Sequence, residues 1–315
     1  MCTAISVNVK NHYFGRNLDY EHTFGEMVTI TPRNYCFKFR NGEKFDSHYA
    51  IIGMGISENS YPLYFDATNE KGLSMAGLNF PDNAIYNSCI KGKQNIASFE
   101  FIPWILSKCE SVFDAKKLLE NINITDEPFS KKLKPSPLHW IIADKNGAIT
   151  VEQTKAGLNI YDNPVGVLTN NPTFDIQMFN LSNYMSVTAK EPENKFSEKI
   201  NLTPYSRGMG GMGLPGDLSS ASRFVRASFV KLNSVFGKTE KEEINQFFHI
   251  LYSVYQQKGC ARVGDDFEMT NYTSCCNTDK GIYYYTTYNN FTINSVDMHK
   301  EDLQGDKIIS YNLLY

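Results

Sequence analysis

The sequence lacks the features that mark several large classes of protein. No apolar run approaches the ~18 residues expected of a membrane-spanning helix, and the alternating first residues lack the hydrophobic segment of a secretory signal. No basic block or stripe is present, and the formal net charge is −3 over 315 residues, so no nucleic-acid partner is expected. These absences predict a cytoplasmic protein without a membrane or nucleic-acid partner.

Cysteine and histidine are present without the spacing of a structural site. The seven cysteines are odd in number and contain no C-x-x-C, which argues against a disulfide framework and a structural zinc site. Reduced thiols in a cytosol fit this pattern best. The six histidines show no metal-ligand spacing, so no metal is expected. Cys109 is interpreted as a core residue, and the adjacent Cys275 and Cys276 as structural residues of a strand.

What the sequence does contain is strand-like alternation in blocks. "TAISVNV", a turn at Lys10–Asn11 and "HYFGRNLDY" predict a first hairpin. A second hairpin is predicted around Asn146–Gly147. The remaining predicted strands are "MVTITP", "CFKFR", "YAIIGMGI", "YPLYFDA", "LSMAGLNF", "GLNIYDN", "VGVLTN" and a strongly alternating C-terminal region with turns at Lys280–Gly281 and Asn289–Asn290.

Three helices are predicted from apolar periodicity, over 98–121, 219–236 and 242–259. Residues 186–218 are rich in Gly and Pro and are expected to be irregular. Because strands cluster instead of alternating with helices, a parallel doubly wound sheet is disfavoured and an α+β fold with helices on antiparallel sheets is favoured. Without a linker or internal repeat, we expect one domain over 1–315.

Two short motifs fail on their context. "GMGGMG" at Gly208–Gly213 matches a dinucleotide-binding pattern, but that pattern needs a strand before it and a helix after it. Pro215 and Gly216 oppose a helix there. "GLSMAG" around Ser74 misses the G-x-S-x-G nucleophile elbow by one residue.

The first cysteine stands directly behind the start methionine. Position 2 is often simply tolerant, but removal of Met1 would give Cys2 a free α-amine whose ordinary pKa is ~7.7–8.0. Such an amine is partly neutral at cellular pH and can act as the base for the thiol of the same residue.

The motif "FGRNLDY" supplies charges on the strand that pairs back with the first. Arg16 could stabilise a thiolate and Asp19 could hold the ammonium group. Taken alone, an Arg and an Asp near a hairpin end usually form a surface salt bridge.

Several motifs together resemble the choloylglycine hydrolases, and most closely the bile salt hydrolases of that family. They cover almost the whole chain in the family's order: "MCTAI", "FGRNLDY", "ITPRNY", "NEKGLSMAGLNFP", "VEQT", "VLTNNPTFD", "GLPGDLSSASRFVR" and "YYYTTYNN". The resemblance implies the N-terminal-nucleophile hydrolase fold, a four-layer αββα sandwich.

The resemblance also implies roles for individual residues. Cys2 matches the nucleophile, and Arg16 and Asp19 match its immediate partners. Asn170 matches the donor to the developing oxyanion, and Asn79 lies at the same site and contacts the amino-acid part of the substrate. An amide NH₂ suits an oxyanion because it donates without a titrating charge, and one such donor contributes roughly 2.7–4 kcal/mol.

Arg223 matches the arginine that orders the polar network. An inward-facing arginine in the first turn of its helix needs an acidic or amide partner, for which Asp19 or Asn170 would serve. The activity implied is hydrolysis of the amide between a steroid acyl group and glycine or taurine through a cysteine thioester, without cofactor or metal. The family further implies a homotetramer.

Two sets of side chains are expected to bind substrate. The steroid needs an apolar pocket, whose candidate walls are Leu18, Phe24, Phe65, Phe129 and Leu133; each could equally be a core residue. Ser206 and Arg207, in "YSRGMGGMGLPGD", are expected to favour taurine, because Ser-x-Gly in this loop accompanies taurine preference in the family and a guanidinium suits a sulfonate. The alternative is a solvent-facing arginine.

Two alternatives to bile salt hydrolysis remain open from sequence. A penicillin V acylase-type amidase shares the fold, but the family usually has tyrosine at position 79 in that group, and Asn79 favours bile salts. A non-catalytic steroid or lipid binder would not need Cys2 and its charged partners.

Overall fold

The computed structural model describes residues 1–315 and contains two large antiparallel sheets flanked by helices. The helices are α1 (Phe101–Lys108), α2 (Val112–Leu119), α3 (Phe174–Leu181), α4 (Ser220–Asn233) and α5 (Glu240–Tyr252). The strands are β1 (Cys2–Asn8), β2 (His12–Tyr20), β3 (Met27–Thr31), β4 (Phe37–Lys38), β5 (Lys44–Phe45), β6 (Ile51–Glu58), β7 (Tyr61–Asn69), β8 (Ser74–Asn79), β9 (Gln94–Ala97), β10 (Ile122–Thr125), β11 (Leu138–Asp144), β12 (Gly147–Thr154), β13 (Gly157–Asp162), β14 (Val167–Leu168), β15 (Ala261–Val263), β16 (Asp266–Asn277), β17 (Ile282–Thr287), β18 (Asn290–Asp297) and β19 (Ile309–Asn312). No helix is both long and apolar enough to cross a membrane.

The first sheet carries the N-terminus in its interior. Its order is β14-β1-β2-β16-β17-β18, with β15 attached to β16. The predicted hairpin of β1 and β2 is present, and its register places Cys2 opposite Leu18 and Ala4 opposite Arg16. The second sheet has the order β13-β12-β11-β8-β7-β6-β3-β19 and contains the predicted hairpin of β11 and β12.

The two sheets face each other, and helices cover both outer faces. Helix α1 packs on β6, β7 and β8, and α2 packs on β11 and β12. On the other side, α4 packs on β1 and β14, and α5 packs on β1, β2 and β16. The sheets contact each other through β1 with β8 and β11. This is the expected α+β fold, a four-layer αββα sandwich.

Strand periodicity explains why both faces of each sheet are apolar. Successive side chains in a strand point to opposite faces. In β11, Ile141 belongs to the core between the sheets, and Ile142 belongs to the core under α1 and α2. In β16, Cys275 and Cys276 are both buried, and burial raises the pKa of the Cys276 thiol to about 12. Their interpretation as structural residues is confirmed.

The single helix predicted over 98–121 is wrong. Helix α1 ends at Lys108, Cys109 is extended, and α2 begins after Ser111. The Ser111 hydroxyl accepts a hydrogen bond from the backbone N–H of Asp114, which starts a new helix at an N-cap residue. Cys109 is buried, as predicted.

The next two predicted helices are present but shorter. Helix α4 ends at Asn233 instead of 236, and the apolar side chains of Leu232 and Val235 at this end are exposed. Helix α5 begins with a capping box of Thr239 and Glu242 and ends at Tyr252 instead of 259. Beyond Tyr252, the backbone is hydrogen-bonded to strand β16 and no longer to the preceding turn of the helix. Gln256 N–H donates to the hydroxyl of Thr270 in that strand.

Some elements were not predicted from the sequence. Helix α3 presents exposed apolar side chains at Ile176 and Phe179, so it lacks the single apolar stripe that identifies a helix. The parallel pair β9 and β10 and the strand β19 were also missed. As predicted, 186–218 is largely irregular, with no strand before Gly208 and no helix directly after Gly213. Ser74 is buried in β8.

Candidate active site

Cys2 opens β1, a strand hydrogen-bonded on both sides in the first sheet, and its side chain is 5% exposed. Its backbone N–H donates to Asn170 Oδ1 at 2.8 Å. This nitrogen becomes the α-amine if Met1 is removed. The thiol and its own nitrogen are thus held in a fixed place at the edge of the inter-sheet core.

Asp19 lies opposite Met1 at the end of the same hairpin. The N–H of Asp19 donates to Met1 O at 2.9 Å, and the Met1 ammonium contacts Asp19 O and the carboxylate of Glu268. The Asp19 carboxylate accepts from Thr270 Oγ1 at 2.6 Å and from Gln256 Nε2 at 3.2 Å. Burial raises the pKa of Asp19, and the charge of Arg223 opposes that rise. With Met1 in place, the Asp19 carboxylate makes no hydrogen bond to Cys2 N.

Arg223 is fully buried and connects these groups. Its Nη1 donates to Cys2 O at 2.6 Å and to Thr3 Oγ1 at 2.7 Å, and its Nη2 donates to Asn170 Oδ1 at 2.8 Å. Its Nη1 lies 3.8 Å from Asp19 Oδ2. Burial lowers the pKa of Arg223, and the Asp19 carboxylate counteracts this. Both partners anticipated from sequence are therefore present.

Arg16 approaches from β2 on the face toward the second sheet. Its Nη1 donates to Gly77 O at 2.6 Å and to Phe65 O at 3.2 Å, whereas its buried Nη2 has no partner. Burial disfavours the charge of Arg16, but Cys2 and nearby acidic groups outweigh burial and raise its pKa. Arg16 is therefore a permanent cation beside the thiol.

The two asparagines lie next to each other. Asn170 Nδ2 donates to the backbone oxygen of Asn79 at 2.7 Å, and the second N–H of that amide is not used within the protein. The side chain of Asn79 makes no hydrogen bond and is partly exposed at the end of β8. The structure thus brings together all six residues that the sequence proposed as catalytic.

An apolar cavity of about 170 Å³ lies beyond Arg16, whose partner Phe65 is in its wall. Phe24, Phe65, Phe129 and Leu133 line it, as expected. Leu18 does not line this cavity; it pairs with Cys2 in the β1–β2 register and is buried beside it. Its place in the steroid pocket stays a prediction.

Ser206 and Arg207 are exposed in the irregular segment. Ser206 N–H contacts Met209 Sδ at 3.4 Å, and Arg207 makes no hydrogen bond or ion pair. The structure does not join either residue to Cys2 by a direct contact.

Several residues that hold the site were missed in the sequence. The hydroxyl of Ser220 accepts from the Asn170 N–H at 2.8 Å, and Thr270 and Gln256 fix Asp19. Beneath Arg16, the buried Asp66 accepts from Tyr272 Oη at 2.7 Å and from Tyr283 Oη at 2.6 Å. Ordinary Ser, Thr and Tyr carry no spacing signal, and only the packing of helices and strands in the fold brings them here.

A buried cysteine at position 2, opening a central strand of a four-layer αββα sandwich, is the architecture of the N-terminal nucleophile hydrolases. Cationic Arg16 beside the thiol and an amide N–H near it suit nucleophilic attack on a carbonyl. Residues 2–311 match the family model described as linear amide C-N hydrolases, choloylglycine hydrolase family, and the chain belongs to this family.

Two curated relatives match nearly the full chain. A protein of Lactiplantibacillus plantarum named bile salt hydrolase/transferase is 56% identical over 314 residues, covering 99% of this chain and 97% of that protein. A protein of Clostridium perfringens with the same name is 42% identical, covering 99% of this chain and 96% of that protein.

Solved structures agree on the fold. The C2A mutant of the conjugated bile acid hydrolase from Clostridium perfringens superposes with a TM-score of 0.92 at 42% identity, covering 100% of this chain and 97% of that chain. Penicillin V acylase from Agrobacterium tumefaciens has a TM-score of 0.78 at 19% identity, covering 99% of this chain and 91% of that chain, and supports the shared fold alone.

Proposed function

We propose that this protein hydrolyses the amide bond of glycine- or taurine-conjugated bile salts. The observation that carries the proposal is the position of Cys2, which is hydrogen-bonded to Asn170 and lies on the strand face that carries Arg16. Arg16 in turn binds Phe65, which lines the apolar cavity. The names of the curated relatives, including one that is 56% identical, support the same substrate class.

The proposed reaction begins after Met1 is removed. The Cys2 thiol transfers its proton to its own α-amine, and Sγ attacks the amide carbonyl carbon. The second N–H of the Asn170 amide and the free side-chain amide of Asn79 stabilise the resulting oxyanion. The tetrahedral intermediate collapses as the ammonium returns the proton to the leaving glycine or taurine nitrogen, and a thioester remains. Water attacks that thioester, releases the bile acid and restores the thiol.

The charged residues have separate roles in this scheme. Arg16 raises the thiolate fraction through its fixed positive charge. Arg223 binds the Cys2 carbonyl and the Asn170 side chain at the same time, and so fixes nucleophile and oxyanion donor relative to each other. Asp19 balances the charge of Arg223.

The apolar cavity would receive part of the steroid. Its volume of about 170 Å³ is below the ~300–1,000 Å³ of pockets that enclose a small ligand. Because Phe24 is 41% exposed at its rim, the cavity would cover one part of the steroid and leave the rest open to solvent. Ser206 and Arg207 are proposed to bind the taurine sulfonate, which needs the irregular segment to move toward Cys2.

A second activity, acyl transfer to amines, is favoured by the name of the relative that is 56% identical, bile salt hydrolase/transferase. The same thioester would react with an amine in place of water and give a new amide. The chemistry at Cys2 is unchanged, so the two activities would share every catalytic residue.

The assembly proposed is a homotetramer of one-domain chains in the cytoplasm. The supporting observation is a set of exposed apolar side chains concentrated in α3 and the irregular segment after it: Ile176, Phe179, Met185, Phe196, Tyr205 and Met212. Patches of this kind mark protein interfaces. Light scattering with size-exclusion chromatography should give four chains per particle, and a monomer at micromolar concentration would reject this assembly.

The test of the function is a turnover assay of the mature enzyme with glycocholate, taurocholate and penicillin V. The conjugated bile salts should be hydrolysed with a higher kcat/KM than penicillin V, and a thiol reagent should abolish turnover. Addition of free amino acids should divert product to new amides if acyl transfer occurs. Higher kcat/KM for penicillin V, or binding of bile salts without turnover, would reject the proposed hydrolase function.

A further inference from the structure

A buried histidine–glutamate pair lies behind the two asparagines. His139 in β11 and Glu152 in β12 are both fully buried, and His139 Nδ1 lies 2.9 Å from Glu152 Oε1. The other ring nitrogen, Nε2, lies 2.9 Å from the backbone oxygen of Thr169. A carbonyl oxygen only accepts hydrogen bonds, so Nε2 carries a proton.

Glu152 also binds the far end of the segment that follows Thr169. Its carboxylate accepts from the N–H of Phe174, the first residue of α3, at 3.1 and 3.2 Å. Thr173, the residue before α3, makes no capping hydrogen bond with its side chain. Glu152 therefore caps α3, where a carboxylate is favoured by the free N–H groups and the helix dipole.

The pair consequently fixes both ends of a segment that contains Asn170. His139 binds the carbonyl just before Asn170, and Glu152 binds the amide four residues after it. The side chain of Asn170 is what receives Cys2 N–H, and it donates to Asn79 O. A shift of the segment would move the proposed oxyanion donor with it.

His139 supports the second asparagine as well. Its ring stacks on Phe80 with centroids 4.1 Å apart and an interplanar angle of 5°. Phe80 directly follows Asn79 and is fully buried. One imidazole thus contacts the residue before one asparagine and the residue after the other.

We propose that His139 and Glu152 are positioning residues that hold Asn170 and Asn79 at the carbonyl attacked by Cys2. The inference rests on the proposed hydrolase function, and it assigns to the pair no contact with substrate. Displacement of a catalytic hydrogen-bond donor by about 1 Å is enough to lower the rate of the reaction ~10²-fold. Loss of the pair should therefore lower kcat while leaving steroid binding, which uses other side chains, in place.

The test compares four variants with the wild-type enzyme on conjugated bile salts. His139→Leu and Glu152→Leu should each lower kcat roughly 10–100-fold with KM changed less than about threefold. The kcat of Glu152→Gln should be at least about tenfold higher than the kcat of Glu152→Leu. The glutamine amide oxygen can still accept from Phe174 N–H and its NH₂ can donate to Nδ1 of a neutral His139, so one hydrogen bond to each partner is retained.

His12→Leu is the matched control. His12 is also buried, between Ser6 Oγ and Thr278 Oγ1, each at 2.8 Å. His12 is the first residue of β2, and Leu18, which faces Cys2, is near the other end of that strand. At a rise of ~3.3 Å per residue the two are about 20 Å apart. The His12→Leu variant should lower Tm as His139→Leu does, but its kcat should stay within about twofold of the wild-type value. Equal kcat values in His139→Leu and His12→Leu would overturn the positioning role. A kcat in Glu152→Gln no higher than in Glu152→Leu would overturn it as well.

A measurement on the wild-type protein keeps the test decisive if the leucine variants do not fold. NMR of the chain labelled with ¹⁵N-histidine should show a slowly exchanging Nε2–H on His139. An unprotonated Nε2 would overturn the proposal. Absence of bile salt turnover in the wild type would instead reject the proposed function, and the NMR result would then decide on the His139–Glu152–Thr169 linkage by itself.

Discussion

Asn170 Oδ1 accepts two hydrogen bonds, one from Cys2 N–H and one from Arg223 Nη2, each at 2.8 Å. The oxygen is thereby directed at the nucleophile's own nitrogen, and the amide NH₂ is turned toward Asn79. One side chain thus orients the proposed base and presents the proposed oxyanion donor.

Mature, active enzyme should lack Met1. With Met1 present, the nitrogen of Cys2 is an amide whose lone pair is delocalised, and it cannot accept the thiol proton. Activity should therefore rise in proportion to the fraction of chains that begin at Cys2, measured by intact mass. Full activity in a preparation that retains Met1 would reject the α-amine as base.

Cys2→Ser should fold with a Tm near that of wild type and lose activity by roughly 10³-fold or more. A hydroxyl is far less acidic than a thiol, so the same amine activates it much less well. In wild type, iodoacetamide should inactivate the enzyme by alkylating Cys2.

The other cysteines provide the controls for that experiment. Cys89 and Cys260 are exposed and Cys36 is half-buried, and all three should be alkylated without effect, so the variant with these three replaced by Ser should keep full activity and show one label per chain. Cys275 and Cys276 are buried and should stay unlabelled. Inactivation that follows a label on either buried cysteine would contradict the assignment of Cys2.

Asn79→Tyr should shift preference from bile salts toward penicillin V. The tyrosine fills space beside the leaving amino acid and removes a side-chain amide that is unused within the protein. The ratio of the two kcat/KM values should change by roughly tenfold, or about 1.4 kcal/mol. Asn83→Tyr, in the loop after β8, should leave the ratio unchanged. An equal ratio in Asn79→Tyr and wild type would remove Asn79 as a determinant of specificity.

Taurocholate should be a better substrate than glycocholate. If Arg207 donates to the sulfonate, the contact contributes about 1–3 kcal/mol, equivalent to roughly 5–150-fold in selectivity. Arg207→Ala combined with Ser206→Gly should narrow or reverse the gap in mixed-substrate competition. A wild-type preference for glycocholate would end this proposal and leave the hydrolase function intact.

Glu100→Gln should stabilise the protein near neutral pH. Glu100 is fully buried, Oε1 accepts from Arg40 N–H at 2.9 Å, and Oε2 has no partner. Burial raises its pKa from 4.5 to about 7. Between these values the folded state binds more protons than the unfolded state, so the contribution of Glu100 to stability falls as pH rises, by up to about 1.4 kcal/mol per pH unit.

Chemical denaturation at pH 4.5 and pH 7 measures this effect. The wild type should lose more stability than Glu100→Gln over the interval. Glu127→Gln, which removes an exposed carboxylate 3.8 Å from the same Arg40, should behave as wild type. Parallel pH profiles for Glu100→Gln and wild type would show that Glu100 does not titrate in this range.

Local pattern in the sequence determined the β1–β2 hairpin, the block order of strands and helices, and hence the α+β class. Alternation and turn residues depend on near neighbours in the chain, so the strands and turns that they form can be recognised in a single sequence. The chemical case for Cys2 also came from sequence, because a nucleophile and a base on one residue need no fold to be adjacent. The wider set, Asn79, Asn170 and Arg223, came from a family resemblance and not from spacing.

Only the tertiary structure decided which side chains surround that nucleophile. Leu18 was directed into the core by the strand register, helix α5 stopped at Tyr252 because Gln256 bonds to Thr270, and the residues 98–121 split at Cys109. His139, Glu152 and Thr169 are far apart in the chain and carry no motif, yet they form one hydrogen-bonded unit. Hydrogen bonds between distant strands depend on register and sheet packing, and those are fixed by the burial of the whole core instead of by any short stretch of sequence.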